Sequence, residues 1–341
     1  MKKQNSRTYL YIALGGLVLI IALIVFYMLT PVSKAEQTQY LYIDNDDTQD
    51  SVLTKLGDFS HTAGMTGLKM LVRHSSYGDH IRSGRYAIKP SEGAFMVFRH
   101  LKNGQQTSMM LTIPEVRTTD RLAAVLSHKL MLDSATIADA LTNQEICQEL
   151  GYDTCTISAM FVPNTYDIYW NIGIDRLLQR MQHEHDRFWK GDREQKAAAI
   201  GLTPIEVCTL ASIIDEETAN NDEKPMIAGM YINRLHQDMP LQADPTIKYA
   251  LRQFELKRIY NKLLQVESPY NTYRNEGLPP GPIKIASIKG IDAVLSYVRH
   301  DYVYMCAKED FSGTHNFART YQEHLKNAAR YTKALNERGI Q

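Results

Sequence analysis

From Tyr9 to Leu29 the chain runs without a charged residue. A stretch of roughly 20 apolar residues is about what a helix needs to cross a bilayer with every backbone group bonded inside the segment. No other feature limits the fold as strongly, because such a segment does not sit on the surface of a water-soluble domain. Lys2, Lys3 and Arg7 precede it while only Lys34 follows closely, an imbalance that puts the N-terminus in the cytoplasm and the rest outside. The run exceeds the apolar core of a cleaved signal peptide, and Leu29-Thr30-Pro31 is a poor small-x-small cleavage site, so an anchor is expected over a removed signal. Being apolar all round, it lacks the polar face of an interfacial helix. Residues 1–7 are therefore expected as a cytoplasmic tail and 8–30 as a single transmembrane helix.

The 341 residues allow two small domains or one large one, and Lys plus Arg equals Asp plus Glu at 38 each. That balance argues against nucleic acid as a partner. Cys147, Cys155, Cys208 and Cys306 contain no Cys-x-x-Cys pair and no zinc-like spacing. Cys147 and Cys155 are near enough for a disulfide in an oxidising compartment, and two buried free thiols are the equal alternative. His183 and His185 stand two apart and so do not share a helix face, and Glu184 does not complete a metal set; both are expected at the surface. No metal or cofactor is implied.

Beyond the span, Tyr40-Leu41-Tyr42-Ile43 alternates like a strand, and Asn45 to Asp50 leads into a helical pattern from Ser51. Ser83 to Ile88 reads as a turn entering a short strand, and Phe95 to Leu101 as a helix closed by Asn103-Gly104. Residues 37–106 form a compact α/β module in this reading. A second block, 107–341, opens with the strand-like Thr107 to Ile113 and a helix led by Thr119, with short helices on to Leu150. Phe161 to Tyr169, aromatic and broken by Pro163, reads as a loop packed on the core more than a regular element. The fold class is α+β.

Thr203-Pro204-Ile205-Glu206 places a hydroxyl at the N-cap, proline at the first helical position and Glu at the third, a capping box before an apolar run. Counting on, Val207, Leu210, Ile214 and Glu217 follow at three- and four-residue steps, which puts Glu217 at the end of the buried stripe, with Asp215 and Glu216 projecting elsewhere. Burial, two acidic neighbours and a helix C-terminus all disfavour the ionised carboxylate there. A carboxyl that keeps its proton near neutral pH is what general-acid cleavage of a glycosidic bond requires. Spacing alone does not identify a reaction, since an acidic triplet at a helix end is commonly just solvated.

Ser212-Ile213-Ile214-Asp215-Glu216-Glu217-Thr218, Ile232-Asn233-Arg234-Leu235, Leu241 to Thr246, Tyr270-Asn271-Thr272-Tyr273 and Gly277 to Ile283 follow in order. Together they resemble the MltG (YceG-like) endolytic murein transglycosylases, most strongly from about Leu202 to Ala318 and more weakly back to about Gln37. The resemblance maps the family's catalytic acid onto Glu217, with Asp215 where the family has a first Glu and Glu216 where it has Lys, a change expected to raise the local pKa further. Ala243 stands where Thr is common, Asn164 where Asp is common, and Val116-Arg117 where Gly-Trp is common. The resemblance implies a membrane-proximal LysM-like module, a YceG-like catalytic domain and a place in the bacterial inner (plasma) membrane with that domain extracytoplasmic. Its substrate would be nascent peptidoglycan glycan strands beside the synthases (penicillin-binding proteins) that make them.

The implied activity is a lyase reaction. Glu217 protonates the oxygen linking N-acetylmuramic acid to N-acetylglucosamine, then takes the proton of the muramoyl carbon-6 hydroxyl, leaving a 1,6-anhydro end and terminating strand elongation. The internal hydroxyl is its own nucleophile at high effective molarity, so one acid suffices. The alternatives are an inactive membrane-tethered glycan-binding scaffold and a muramidase that uses water. Asn271 and Tyr273, read as alternating along an extended segment, are substrate-binding candidates, as are Gln242 and Asp244 in a proline-bounded turn where Asp244 could also cap a helix starting at Pro245. The Pro279, Pro280 and Pro282 loop is a possible wall of a sugar groove, although more often such a loop is structural. His315 matches a family histidine and is a candidate for bonding a sugar or orienting another group.

Overall fold

The computed structural model describes residues 2–256 and 258–338; Met1 of the expected tail, Lys257 and residues 339–341 of the expected catalytic domain lie outside the described residues. The chain divides into two compact units, Met1–Leu111 with Asp167–Ile172, and Thr112–Tyr166 with Gly173–Gln341.

The first unit begins with α1 (Lys2–Leu29). Among the described residues one helix, Arg7–Leu29, is long and apolar enough to cross a membrane. Then follow β1 (Gln39–Ile43), α2 (Gln49–Gly57), α3 (Thr62–Arg73), β2 (Gly84–Ile88) and α4 (Ala94–Asn103). β1 and β2 pair antiparallel with Leu41 opposite Tyr86. The alternation read from the sequence is the strand's two faces: Leu41 and Ile43 are buried with Leu56, Leu68, Tyr86, Ile88 and Val97, whereas Tyr40 and Tyr42 face solvent. Thr48 and Ser51 close a capping box on α2, and Gly104, at φ 66°, ends α4 in the left-handed conformation that glycine adopts without strain. α3 comes against the end of α1 through its glycines: a Cβ on Gly64 would lie 2.2 Å from the Pro31 carbonyl oxygen, and one on Gly67 2.2 Å from that of Tyr27. No other residue type fits that approach.

The chain passes between the units within β3 (Met109–Thr112). The second unit continues with α5 (Thr119–Ser127), α6 (Ser134–Thr142) and α7 (Gln144–Glu149). β4 (Thr165–Ile168) lies in the segment expected to be irregular; its alternating exposed and buried residues follow Pro163 instead of including it, so no ladder donor is lost. Then come α8 (Ile174–Trp189), α9 (Asp192–Ala199), α10 (Pro204–Glu217), α11 (Lys224–His236), α12 (Asp244–Leu251), α13 (Ile288–Leu295), the antiparallel pair β5 (Tyr304–Ala307) and β6 (His315–Ala318), and α14 (Tyr321–Glu337).

α10 begins at the capping box its sequence spells, with the Thr203 hydroxyl accepting from the Glu206 N–H and the Glu206 carboxylate accepting from the Thr203 N–H at 2.7 Å. Its surroundings differ from a one-sided stripe. Every residue from Val207 to Ile214 is buried, so α10 is a central helix packed by α11, α13, α9 and α12. Its two buried hydroxyls are satisfied locally: Thr209 donates to the Ile205 carbonyl, while Ser212 donates to that of Thr209 and accepts from the Ile283 N–H.

Two surface and sulfur expectations resolve differently. His183 is exposed, but His185 is 8% exposed, packed among Tyr152 and Trp189 on the inner face of α8, because its two-residue offset from His183 turns it inward. All four thiols are free; Cys147 is buried against the Leu141 carbonyl and Cys155 is exposed. Because Leu210 is 0% exposed in the centre of this core, Leu210→Ala is expected to cost about 2–5 kcal/mol, whereas Thr203→Ala, which removes only the cap, should cost about 1 kcal/mol. Denaturant unfolding of the full chain in detergent micelles checks the ranking.

Candidate active site

α10 ends at Glu217, and the backbone turns extended at Thr218. The Glu217 carboxyl enters a cleft of about 410 Å³ in the second unit, lined also by Tyr231, Arg234, Gln242, Asp244, Tyr273, Tyr304, His315, Tyr321 and His324. The hydroxyl of the buried Tyr231 donates to Glu217 Oε1 at 2.7 Å. Burial pushes the Glu217 carboxyl up to about 7, the Tyr231 bond opposes that rise, Asp244 adds to it, and His315 and Lys248 oppose it. Glu217 thus holds its proton near neutrality as the sequence suggests, with a different set of neighbours.

Asp215 and Glu216 are not the charges responsible. Asp215 is nearly enclosed and fully engaged: it pairs with Lys224 at 2.7 Å and accepts from the Ser287 N–H at 2.7 Å and the Ser287 hydroxyl at 2.8 Å, tying α10 to the start of α13. Glu216 accepts two bonds from the Arg117 guanidinium, at 2.8 and 3.1 Å. Each negative charge has its own cation, so neither adds the expected push to Glu217.

Of the remaining candidates, Tyr273, Asp244, Gln242 and His315 are brought to the cleft and Asn271 is not. Asn271 is 0% exposed; its amide donates to the carbonyls of Leu264 and Val266, and its oxygen accepts from the Tyr273 N–H. The segment is a turn and not the extended stretch expected, and Asn271 is the residue that holds it. That turn delivers Tyr273, whose hydroxyl donates to Asp244 at 2.5 Å. Asp244 is the first residue of α12 and caps no backbone group there, since Ala243 occupies the N-cap. Gln242 is held at φ 53°, a left-handed conformation costly for a side-chain residue, by a bond from its N–H to the Thr272 carbonyl. His315 is fixed by Glu223, which accepts from its backbone N–H at 2.6 Å and lies 3.0 Å from Nδ1. The proline loop lines a separate apolar groove with Leu202 and Ile205, away from the residues of the Glu217 cleft.

Tyr231, Arg234, Glu223, Tyr304, Tyr321 and His324 were not singled out from the sequence. Tyr231 directly precedes the motif Ile232 to Leu235 and Arg234 lies within it, three residues on and on the same helix face, and that spacing was the available signal. The others are joined to the cleft only by tertiary folding. Among the described residues no group of three or more His, Cys, Asp or Glu is gathered as a metal site.

The model of a family described as the YceG-like family matches residues 41–330. An endolytic murein transglycosylase of Bacillus subtilis (strain 168) is 41% identical over 130 residues, covering 38% of this chain and 35% of the relative. The endolytic murein transglycosylase of Streptococcus pneumoniae (serotype 2, strain D39) is 24% identical over 342 residues, covering 90% of this chain and 62% of the relative. The chain therefore spans less than two thirds of these relatives' lengths. A 2.6 Å crystal structure of a yceG-like protein from Listeria monocytogenes superposes with a TM-score of 0.55 at 24% identity, over 86% of this chain and 99% of that one, a likeness of fold.

The Glu217 carboxyl gives two expected outcomes. Tyr231→Phe removes the donor that favours the ionised form and should move the titration above about 7, read by carbon-13 NMR of labelled glutamate carboxyls. Because the carboxyl titrates near 7 when folded against 4.5 when free, the stability linked to its proton is complete below about 4.5 and is lost as pH rises through about 7. Glu217→Gln should flatten the pH dependence of unfolding across that window.

Proposed function

The chain belongs to the YceG-like family, and from that premise we propose that it is an endolytic lytic transglycosylase of peptidoglycan with Glu217 as its acid. The observation that carries the reading is a single raised carboxyl in a polar, aromatic-lined cleft, bonded by a neutral phenol and by no cation. At neutral pH about half of such carboxyls hold a proton. In the cleft that proton goes to the oxygen between the muramoyl carbon 1 and the next sugar's carbon 4. The muramoyl carbon-6 hydroxyl attacks carbon 1 as that bond breaks, and the Glu217 carboxylate takes the hydroxyl's proton. A 1,6-anhydro ring closes and the acid is restored without water being consumed.

The Tyr231 hydroxyl serves both halves of this cycle. It orients the carboxyl for delivery and stabilises the carboxylate that delivery leaves. Gln242, Asp244, Tyr273 and His315 are the remaining polar groups of the cleft suited to sugar hydroxyls and acetamido groups. Asp244 also supports a second reading, since a carboxylate sharing the cleft is what a water-using muramidase needs. Its bond from the Tyr273 hydroxyl favours a binding role.

The first unit's order of strand, two helices and strand supports residues 37–106 as a LysM-like module, with 107–341 as the catalytic domain. The α1 helix supports a single-pass anchor with residues 1–7 cytoplasmic and the rest outside the bacterial plasma membrane. In that position the enzyme meets nascent glycan strands beside the penicillin-binding synthases and terminates their elongation.

Mass spectrometry of glycans released from purified peptidoglycan by the full chain in detergent micelles tests the reaction. Internal cuts with 1,6-anhydro ends are expected from the unmutated protein, and a loss of at least a hundredfold from Glu217→Gln. Reducing ends would instead identify the hydrolase, and a fully active Glu217→Gln would remove Glu217 from the chemistry.

A further inference from the structure

The cleft has a wall that the acid's chemistry does not use. Tyr304 on β5 and Tyr321 and His324 on the first turn of α14 bring three rings together with centroids 5.4, 5.9 and 6.2 Å apart. The His324 ring is inclined by only 26° to Tyr304 and 30° to Tyr321. These rings are not core: α14 has no fully buried residue, Tyr321 is 59% exposed, and all three line the cleft that holds Glu217. His324 holds the two tyrosines together, its ring lying against both and its Nδ1 enclosed in that packing. Burial, aided by Arg234, moves the His324 pKa below the ordinary histidine value, which favours a neutral ring able to accept or donate one bond.

We propose that Tyr304, Tyr321 and His324 form a binding subsite for one N-acetylated pyranose ring beside Glu217, the exposed aromatic faces taking its C–H face and His324 packing the two tyrosines into one wall. A pyranose presents an apolar C–H face that matches the electron-rich face of an aromatic ring, while its polar groups lie around the rim. Arg234 steadies the wall from beneath: its guanidinium lies 5.3 Å from the Tyr304 centroid and is itself anchored on the carbonyls of Val303, Pro240 and Leu241. The thread from Glu223 to His315 on β6 fixes the strand beside β5. The subsite rests on the transglycosylase reading and gives that reading its hold on the ring next to the scissile bond.

The test uses the full chain in detergent micelles and a soluble tetrasaccharide of alternating N-acetylglucosamine and N-acetylmuramic acid. In the Glu217→Gln background, calorimetric titration should show Tyr321→Ala and His324→Ala each weakening affinity about tenfold, with Tyr321→Phe unchanged. In the Glu217-intact chain the same Ala changes should raise KM about tenfold with kcat nearly constant, the signature of ground-state binding. Tyr321 is exposed at the start of its helix, so its variant keeps the test valid if His324→Ala lowers the melting temperature. Affinity and KM both unmoved by Tyr321→Ala would overturn the subsite and leave the reaction standing. Absence of any anhydro product from the unmutated chain would overturn the reaction, while no measurable binding of the tetrasaccharide to the Glu217→Gln chain would overturn the subsite.

Discussion

A carboxyl at the end of a helix buried on every side has to be accommodated before anything else in the second unit can be arranged. Taking an ionised carboxylate out of water costs several kcal/mol in real proteins, on the order that a whole domain has to spare. The cost is reduced at Glu217 by keeping the proton and by one strong donor, the Tyr231 hydroxyl at 2.7 Å. That single bond joins the last turn of α10 to the middle of α11, and the positions of the other cleft groups follow from how those two helices are held.

α11 does the holding from its first residues. Glu223, just before it, clamps both the backbone and ring of His315 on β6, and Lys224, its first residue, pairs with Asp215 on α10. Two adjacent side chains of opposite sign thus tie α11 to β6 and to α10, and Tyr231 and Arg234, further along the helix, line the cleft. Gly229, on another face of α11, lets the chain at Val298 approach the helix backbone, since a Cβ there would lie 2.2 Å from the Val298 carbonyl oxygen. Asp215 is shorter than the Glu the family pattern leads one to expect. In this chain its reach is sufficient for Lys224 and the N-cap Ser287, which makes it a structural tie between α10, α11 and α13.

The local grammar of the chain was legible and its tertiary electrostatics were not. The capping box at Thr203, the glycine stop at Gly104, the two strands of the first unit and the three- and four-residue rhythm leading to Glu217 are all encoded within a few residues of where they act. Asp215 and Glu216 misled because sequence proximity stands in poorly for interaction: their cations come from Lys224 and from Arg117, the latter about a hundred residues away in sequence. Asn271 misled for a related reason, since an amide suited to sugars is equally suited to closing a turn, and only burial at 0% tells the two apart. Tyr304 and His324 carried no local signal, because a β-strand tyrosine and a first-turn histidine become neighbours only when α14 packs on β5.

Among the described residues no cation is paired with Glu217, and that is as much a part of the arrangement as the presence of Tyr231. Arg234 lies on the same helix one turn beyond Tyr231 and lines the same cleft, close enough in principle to compete for the carboxyl. Its guanidinium instead donates to the backbone carbonyls of Val303 at 2.6 Å and of Pro240 and Leu241 at 2.9 Å each, and to the Gln242 side-chain oxygen at 3.4 Å. A direct Arg–carboxylate pair would depress the acid well below neutrality and leave no proton to deliver. Carbonyls keep the arginine's charge in the wall without spending it on the acid, while a phenol, which is neutral at working pH, supplies direction. Replacing Tyr231 by a longer cationic donor would preserve a bond to Glu217 and lose the protonation state on which that bond's position depends.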